Sequence, residues 1–254
     1  MRAYLAFTRK EFSEYLRTYK LFVLATVFLL FGFMNPVVAK VMPELLNKVL
    51  PEGMTINLGT PTALDSWAQF FKNISQMGTI VVIIVLSGIM ANEFSRGTLI
   101  NMLTKGLSRP TVILAKFTAA TVLWTLIYGL CFAVTYFYTA YFWSMDGIVN
   151  MFLSVVSLWL FGVLLVALLI FGGVLFINIY GSLLLTGGAV VFLMLLNIAP
   201  AVQKYNPMTL STGNMALLTA QKASSDFMPA IFICTAAIIA LLIASIALFN
   251  KKQI

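Results

Sequence analysis

The sequence predicts an all-α integral membrane protein with six transmembrane helices, an amphipathic interfacial helix at the amino-terminal end and a short cytoplasmic helix between spans 2 and 3. The first reason is composition: 61% of the 254 residues are hydrophobic and only 9% are charged, against about 25% in soluble domains. The second is the length of the uncharged intervals, and the third is the placement of charges between them. Polar residues are too few to cover a water-facing surface.

The uncharged intervals set the number of spans, because a spanning helix needs about 20 apolar residues. Five such intervals contain 19, 20, 29, 57 and 24 residues in chain order. The 57-residue interval has room for two spans, with a turn near the glycines at 172–173 and the polar segment 178–181. We therefore predict spans at residues 21–39, 74–91, 118–141, 149–171, 182–199 and 229–249.

The charges are divided unequally between the two sides of the membrane. Six spans place both termini on one side, and that side carries eleven basic and three acidic residues, a net charge of +8, whereas the other side carries five of each. Because basic residues are retained in the cytoplasm, we predict that both termini are cytoplasmic. The basic composition therefore reflects topology, and we predict no nucleic-acid partner.

Residues 1–20 are predicted to form an amphipathic helix along the cytoplasmic membrane surface. Its apolar residues share one helical face: Met1, Leu5, Phe12, Leu16 and Tyr19. The alternative is a cleaved signal peptide. Two glutamates in this segment and the 19 uncharged residues after it argue against that alternative, because both exceed the usual pattern of such peptides.

Two segments on the opposite side are less regular. Residues 40–72 are predicted to be an outer loop after a kink or exit at Pro36, with Trp67, Phe70 and Phe71 as an aromatic belt at the membrane interface. Residues 200–226 mix turn-forming and apolar residues. They fit two short helices that return towards the membrane, which protein or a water-filled cavity would have to cover, and they fit a surface loop equally well.

Residue types that the sequence lacks exclude several activities. The chain contains no histidine, which excludes Ser-His and His-metal intramembrane proteolysis and His-based acid–base catalysis. No carboxylate or lysine lies at the centre of a predicted span, which disfavours ion-coupled secondary transport. No G-x-x-x-x-G-K-[ST] motif is present to hold ATP phosphates. We therefore predict no catalytic, cofactor-binding or metal-binding residue, and we expect that the chain is not an enzyme by itself.

Residues 92–116 form the longest polar interruption on the basic side. Gly97 and Gly106 bracket eight residues, 98–105. Thr98 is predicted to cap the start of a short helix there, and Gly106 to adopt the left-handed conformation just past its end. The apolar residues of this helix share one face at i, i+3 and i+4 spacing: Leu99, Met102 and Leu103. A capped helix between two spans is suited to transmit force.

Three short runs and a lysine in this stretch follow a recognisable order: Glu93 to Leu99 (E-F-S-R-G-T-L), Leu103-Thr104, Leu107-Ser108-Arg109, and Lys116. Together they resemble the signature of ABC-2-type transporter permeases, in which an acidic residue and R-G-T follow the second span and an L-[ST]-x-P-[LV]-S-R-like run leads to the third. This chain departs from the pattern at Lys105-Gly106, where a small residue followed by proline is frequent. The six-span layout, the amino-terminal helix and the long last outer loop resemble the family too.

The resemblance implies a permease subunit of an ATP-driven exporter in the cell (plasma) membrane of a bacterium. Residues 1–20 would be the interfacial helix and residues 21–254 the permease domain. A second permease subunit, identical or related, would complete the pathway among membrane lipids. Two copies of a cytoplasmic ABC ATPase would bind ATP and Mg²⁺, and the helix at 98–105 would be the coupling helix that docks on the ATPase. The implied interface residues are Glu93, Arg96, Gly97, Thr98, Leu99, Met102, Leu103, Ser108 and Arg109.

The resemblance also gives roles to the charged residues of this stretch. Glu93 and Arg96 would lie at the hinge of the coupling helix. Arg109 and Lys116 would pair with acidic groups of the ATPase or with lipid phosphate. The alternative is that these residues are ordinary interfacial charges at helix ends.

The nature of the cargo follows from the predicted spans, which lack charges but contain scattered polar side chains such as Thr121, Ser154 and Asn197. They favour a hydrophobic or amphipathic substrate, namely a peptide, an antibiotic or a lipid-like molecule. Sodium is the alternative cargo that the resemblance allows. The alternative function is a membrane anchor or assembly subunit that holds a cytoplasmic partner and transports nothing.

Overall fold

A computed structural model describes residues 2–49, 60–95, 97–104 and 106–252, and every regular element in these ranges is helical. The α-helices are α1 Arg2–Arg17, α2 Lys20–Val49, α3 Ala63–Asn73, α4 Thr79–Leu86, α5 Ala91–Ser95, α6 Thr98–Thr104, α7 Arg109–Phe142, α8 Met151–Phe176, α9 Ile179–Leu196, α10 Pro200–Gln203, α11 Thr209–Thr212, α12 Asn214–Leu218 and α13 Met228–Lys251. A π-helical turn, Ile74–Gly78, joins α3 to α4, and a 3₁₀ turn, Ser224–Phe227, precedes α13. The all-α prediction is confirmed. The predictions made for Met1, Arg96 and Lys105 fall outside the described residues.

Six segments of the described ranges are long and apolar enough to cross a membrane, as the sequence predicts. Spans 1 to 6 are Lys20–Pro43, Ala63–Phe94, Arg109–Phe142, Met151–Phe176, Ile179–Leu196 and Ser224–Lys251. In the apolar window of span 4, 72% of the residues are buried in the protein, compared with 11% in span 5 and 17% in span 6. Spans 5 and 6 therefore leave most of their surface for lipid or for another subunit.

The helices of the first two spans extend beyond the predicted limits. Helix α2 continues through Pro36 and Pro43, so the helix of span 1 does not end at residue 39. Helical structure also resumes at Ala63, inside the predicted outer loop. Proline is tolerated inside a spanning helix because neighbouring groups can satisfy the freed backbone carbonyl. A proline in the sequence is therefore not sufficient to predict the end of such a helix.

The turn between spans 4 and 5 lies at Ile177 and Asn178, which confirms one of the two predicted turn signals. The other signal, Gly172-Gly173, lies inside α8 and is buried. A Cβ atom at Gly173 would lie 2.7 Å from Cβ of Met90 on the second span. The glycines thus allow close approach of two helices and do not form a turn.

The aromatic residues at the start of span 2 form part of the protein core. Trp67 and Phe70 have no exposed surface and Phe71 is 3% exposed. The ring of Trp67 lies 5.6 Å from that of Phe132, and the ring of Phe70 lies 5.8 Å from that of Tyr128, both on span 3. The predicted lipid-facing aromatic belt is therefore wrong, because these rings face span 3.

Spans 3 and 4 approach closely at Trp124 and Gly162. A Cβ atom at Gly162 would lie 2.3 Å from the Trp124 ring, so only glycine fits beside this indole. The Trp124 Nε1–H donates to the carbonyl of Trp159 at 3.0 Å, and the Tyr128 hydroxyl donates to the carbonyl of Val155 at 2.8 Å. Both buried donors are satisfied by span 4, which fixes the register of the two helices.

A buried polar contact joins spans 1, 2 and 3. The Asn35 amide nitrogen donates to the Thr135 hydroxyl at 3.1 Å, and the Asn73 amide nitrogen donates to Oδ1 of Asn35 at 2.8 Å. Asn35 thus connects three helices, whereas the sequence pattern Asn35-Pro36 suggested only a kink or an exit of the chain. Hydrogen bonds between membrane helices contribute roughly 0.6–2 kcal/mol each.

The segment between spans 5 and 6 is packed onto the bundle. Leu210, Ser211, Asn214 and Leu217 are buried, and α11 and α12 contact span 4 and the beginning of span 2. Of the two alternatives that the sequence left open, short helices that return to the bundle describe this segment and an exposed loop does not. Residues 206–211 are buried, whereas 220, 221 and 223 are exposed.

Candidate functional site

The loop between spans 2 and 3 and the described residues near both ends of the chain meet at one end of the bundle, which we call the basic face. Its elements are α1, α5, α6, the beginning of α7 and the end of α13. α1 packs along the beginning of α7, where the Tyr4 hydroxyl donates to the Thr118 hydroxyl at 2.7 Å. The chain then turns from α1 into span 1 through Tyr19, whose φ is +58°.

Two glycines delimit α6, as the sequence predicts. Gly97 has φ +64° and Gly106 has φ +89°, a region that glycine adopts without steric cost. The Leu107 N–H donates to the Met102 carbonyl at 3.2 Å and the Gly106 N–H to the Leu103 carbonyl at 3.0 Å, the hydrogen bonds of a Schellman motif. The helix therefore has a defined end, and the predicted role of Gly106 is confirmed.

Thr98 connects the start of α6 to the end of the second span. We expected its side chain to cap the helix, but Thr98 is the first helical residue. Its hydroxyl donates to the Glu93 carboxylate and contacts the Glu93 carbonyl at 3.3 Å. The prediction of a cap is therefore wrong. The Thr98 hydroxyl instead donates to the buried carboxylate of Glu93, five residues earlier. Burial of Glu93 depends on segments distant in the sequence, so the local pattern does not indicate this bond.

Glu93 belongs to a network of five buried or half-buried charges, which we call the ion network. Lys116 Nζ lies 2.9 Å from Glu11 and 3.2 Å from Glu93, and Lys10 Nζ lies 3.1 Å from Glu11, 2.9 Å from Glu14 and in contact with Glu93. Glu11, Glu93 and Lys116 are 1%, 4% and 1% exposed. The network joins α1, the end of span 2 and the beginning of span 3.

The protonation of α1 reflects this packing. Burial alone would lower the pKa of Lys10, but hydrogen bonds to Glu14 and Glu93 and the charge of Glu11 outweigh it and raise that pKa above its ordinary value. Burial, and then the charges of Glu11 and Glu14, raise the pKa of the Tyr15 hydroxyl. Lys10 therefore remains charged and Tyr15 remains neutral at physiological pH.

Arg109 is used to cap the last helix. Its Nη1 donates to the carbonyls of Phe249, Asn250 and Lys252, the last two at 2.9 and 2.8 Å. Unpaired carbonyls at a helix C-terminus carry partial negative charge, and a guanidinium there satisfies them. The side chain that the resemblance assigned to a partner or to lipid phosphate thus binds span 6 of its own chain.

Lys252 makes the matching contact to span 4. Its ammonium group donates to the carbonyls of Val174 and Leu175, the latter at 3.1 Å, and lies 5.6 Å from the centre of the Phe94 ring. Phe94 also stacks edge-on against Phe249 at 5.7 Å. Burial lowers the pKa of Lys252. The end of span 2 is therefore tied to spans 4 and 6 as well as to α1.

The remaining predicted interface residues divide between interior and surface. Leu99 has no exposed surface, and Met102 and Leu103 are half-buried against the core. The apolar face of α6 therefore packs inward. Ser108 precedes α7, is exposed and shares a hydrogen bond with Thr111 at 2.7 Å. Gly97 and Thr98 are half-buried, and Arg96 lies outside the described residues.

Three carboxylates of the ion network satisfy the distance criterion for a metal site, but we assign no metal to them. One oxygen from each of Glu11, Glu14 and Glu93 lies within 4.8 Å of the others. The ammonium groups of Lys10 and Lys116 already contact these oxygens. A divalent cation would have to displace both, so the donor set fits an ion-pair network and does not fit a metal centre.

Sequence reasoning placed Glu93 and Lys116 in the site but missed Lys10, Glu11 and Glu14. A signal was present: Phe7, Glu11 and Tyr15 recur at four-residue spacing, and these three residues are buried. The predicted apolar face, which includes Leu5, Leu16 and Tyr19, is exposed on the protein surface, with Leu5 65% exposed, as expected of a face that lies on the membrane. The helix therefore has two adjacent faces, one packed on span 3 and one available to the membrane surface.

The chain shows distant similarity to a known membrane protein. No family model matches the sequence. Over 140 residues the chain is 23% identical to a curated protein of Bacillus subtilis strain 168 described as "Uncharacterized transmembrane protein YxlG". The match covers 54% of this chain and 54% of that protein, so the chain spans about half the length of the curated relative. The chain is a multi-span membrane protein with distant similarity to a Bacillus transmembrane protein.

Proposed function

We propose that this chain is the permease subunit of an exporter of the ABC-2 type and that a separate cytoplasmic ATPase drives it through α6. The observation that carries the proposal is the attachment of α6, which lies between two left-handed glycines and is joined by Thr98 to Glu93 of the ion network. The order of residues around α6, which resembles the permease signature, is consistent with this role.

The ion network is suited to transmit a displacement. A movement of α6 that shifts Glu93 would stretch its contacts to Lys10 and Lys116. Separating one partner of a buried ion pair costs roughly 3–5 kcal/mol. A push on α6 would therefore move α1 and span 3 before these contacts break.

The proposal needs an external source of energy, because the sequence has no phosphate-binding loop. The cytoplasmic topology proposed for the basic face rests on its net charge of +8 and the retention of basic residues in the cytoplasm. Arg109 and Lys116 are occupied within the chain, so we assign the docking of the partner to the outer side of α6 and to exposed neighbours such as Ser108.

Coexpression with the cognate ATPase tests the proposal. We expect the ATPase to copurify and to hydrolyse ATP faster in the presence of the permease. Glu93→Ala should reduce that stimulation about tenfold while the complex still assembles, because Lys116 and Lys10 keep their contacts to Glu11. Asp146→Ala, an exposed acidic residue at the opposite end of the bundle, is the matched control. The tenfold figure corresponds to about 1.4 kcal/mol of lost coupling.

The alternative function, a passive anchor for a cytoplasmic partner, gives a different result in the same assay. An anchor should leave ATP hydrolysis unchanged whether or not Glu93 is present. Unchanged hydrolysis with intact assembly in Glu93→Ala would refute the coupling role. Stimulation by an added hydrophobic or amphipathic cargo, but not by sodium, would refute both the anchor and sodium export.

A further inference from the structure

A cavity lies between spans 2 and 5 and is closed on one side by α11 and α12. Its volume is about 690 Å³, within the range of about 300–1,000 Å³ that small-molecule sites occupy. Its rim includes Ile80, Val191 and Met194, which are 55%, 56% and 60% exposed. These apolar side chains lie in spanning helices, so the cavity opens sideways into the hydrocarbon of the membrane.

The cavity wall is polar at one end and apolar at the other. Lys72 and Ser75 lie one turn apart on span 2, and Ser75 Oγ donates to the Ser211 carbonyl at 2.9 Å. Ile80 and Ile83 line the wall further along the same span. Lys72 and Ile83 are about 16 Å apart along a helix at 1.5 Å per residue. The cavity therefore matches a molecule with a polar head and an apolar tail.

Two buried polar atoms in the residues that line the polar end have no partner. They are Ser211 Oγ and Asn214 Oδ1, and no hydrogen bond to either atom is found in the part of the chain that the structure describes. Ser211 and Asn214 are 2% and 1% exposed. An unpaired buried polar group costs roughly 1–3 kcal/mol. Protein covers both atoms, so they show that this end of the wall is polar but do not themselves contact the cavity.

The charge of the wall specifies the head group. Among the described residues that line the cavity, Lys72 carries the single formal charge. Lys72 is exposed and forms no salt bridge with any described residue. A cation at the boundary of an apolar cavity attracts a carboxylate, sulfonate or phosphate.

We propose that this cavity is a binding site for an anionic amphiphile, which enters from the membrane, places its acidic head beside Lys72 and extends its apolar tail towards Ile83. This inference goes beyond the proposed export function, because it concerns binding by this chain alone. It is tested without an ATPase, so its failure and the failure of the coupling role are separate results.

The probe is dansyl-labelled undecanoic acid, with its methyl ester as the uncharged match, added to the full-length chain in nanodiscs of zwitterionic phosphatidylcholine. We expect saturable binding of the acid, detected as an increase in dansyl fluorescence. Lys72→Met should weaken the acid about tenfold, the loss of about one charge-assisted hydrogen bond, and leave the ester unchanged. Lys204→Met, an exposed lysine at the same end of the bundle and outside this wall, should change neither.

Two adjacent glycines of span 5 provide a steric control. Gly187 lines the cavity, whereas Gly188 is absent from its wall. A Cβ atom at either position meets no atom within 4 Å, so neither substitution forces a clash at Cβ. Gly187→Leu should obstruct the cavity and weaken binding of acid and ester alike, and Gly188→Leu should bind both like the unaltered chain.

Each result decides the inference. Non-saturable binding, or equal binding by the Gly187→Leu and Gly188→Leu variants, overturns the site. Weaker binding in Gly187→Leu together with unchanged acid binding in Lys72→Met overturns the anionic specificity. If the predicted pattern holds, phosphatidylglycerol in the nanodisc identifies the source: displacement of the acid supports a membrane lipid as ligand, and undisturbed binding supports a single-chain amphiphile.

Discussion

Replacing Lys116 by methionine should release α1 from the bundle. Lys116 is 1% exposed and its Nζ lies 2.9 Å from Glu11 and 3.2 Å from Glu93. At such distances and an effective dielectric constant of about 20, each attraction is about 5 kcal/mol before desolvation is counted. Lys116→Met removes a positive partner from the buried carboxylates of Glu11 and Glu93. We therefore expect the free energy that holds α1 on the bundle to fall by roughly 3–5 kcal/mol.

Limited proteolysis with trypsin measures this loss. Arg9 lies in the middle of α1, so cleavage after it requires local unfolding, and the rate follows the population of the open form. A loss of 3–5 kcal/mol should accelerate cleavage by roughly two to four orders of magnitude. Lys251→Met removes an exposed charge from the same face and should leave the rate within about twofold.

A second substitution separates charge from packing. The double variant Lys116→Met, Glu11→Gln removes one positive and one negative buried charge, and its cleavage rate should return to within about tenfold of the unaltered chain. Acceleration in Lys251→Met as large as in Lys116→Met would refute the reasoning. So would a double variant that is cleaved as fast as Lys116→Met alone.

Three further predictions concern stability. Gly106→Ala should cost roughly 1–2 kcal/mol of stability because of its φ of +89° and lower the Tm in detergent, with Gly106→Asn intermediate. Gly162→Ala should cost roughly 1–3 kcal/mol of stability, because its Cβ would overlap the Trp124 ring. Gly129→Ala, with open space at Cβ, should not lower the Tm. The pKa values of Lys10 and Tyr15 are raised in the folded chain, so their contribution to stability is full below about pH 10 and decreases as pH rises through the folded values. Tryptophan fluorescence between neutral and strongly alkaline pH tests this, and a transition on acidification alone would contradict it.

The number of spans could be predicted because it depends on a property that is summed along the chain. The uncharged intervals report where backbone can be buried in lipid, independently of tertiary contacts. The ends of the helices depend on contacts with other segments. Pro36 does not end span 1, because the Thr135 hydroxyl donates at 3.2 Å to the Gly32 carbonyl, four residues before the proline. Trp67 packs against Phe132 of span 3 instead of facing the membrane interface. Neither partner is visible in a local pattern.

The same distinction applies to the candidate site. Gly97 and Gly106 could be recognised because a short helix with a left-handed end is encoded by neighbouring residues. The ion network could not, because Glu11 and Lys116 are 105 positions apart, and no local rule pairs them. The roles of Arg109 and Lys116 were predicted from the resemblance as external contacts, whereas the folded chain uses both internally.

The long separation between the partners in the ion network also determines when these contacts can form during synthesis. Glu11 leaves the ribosome 105 residues before Lys116, roughly 5–20 s earlier at 5–20 residues per second. Spans 1 and 2 are synthesised in that interval. Arg109 then waits 141 residues for the Asn250 carbonyl, roughly 7–28 s. The contacts on the basic face therefore close only after the helices that supply them have been inserted in the correct orientation, so an inverted span would leave Glu11 or Arg109 without its partner.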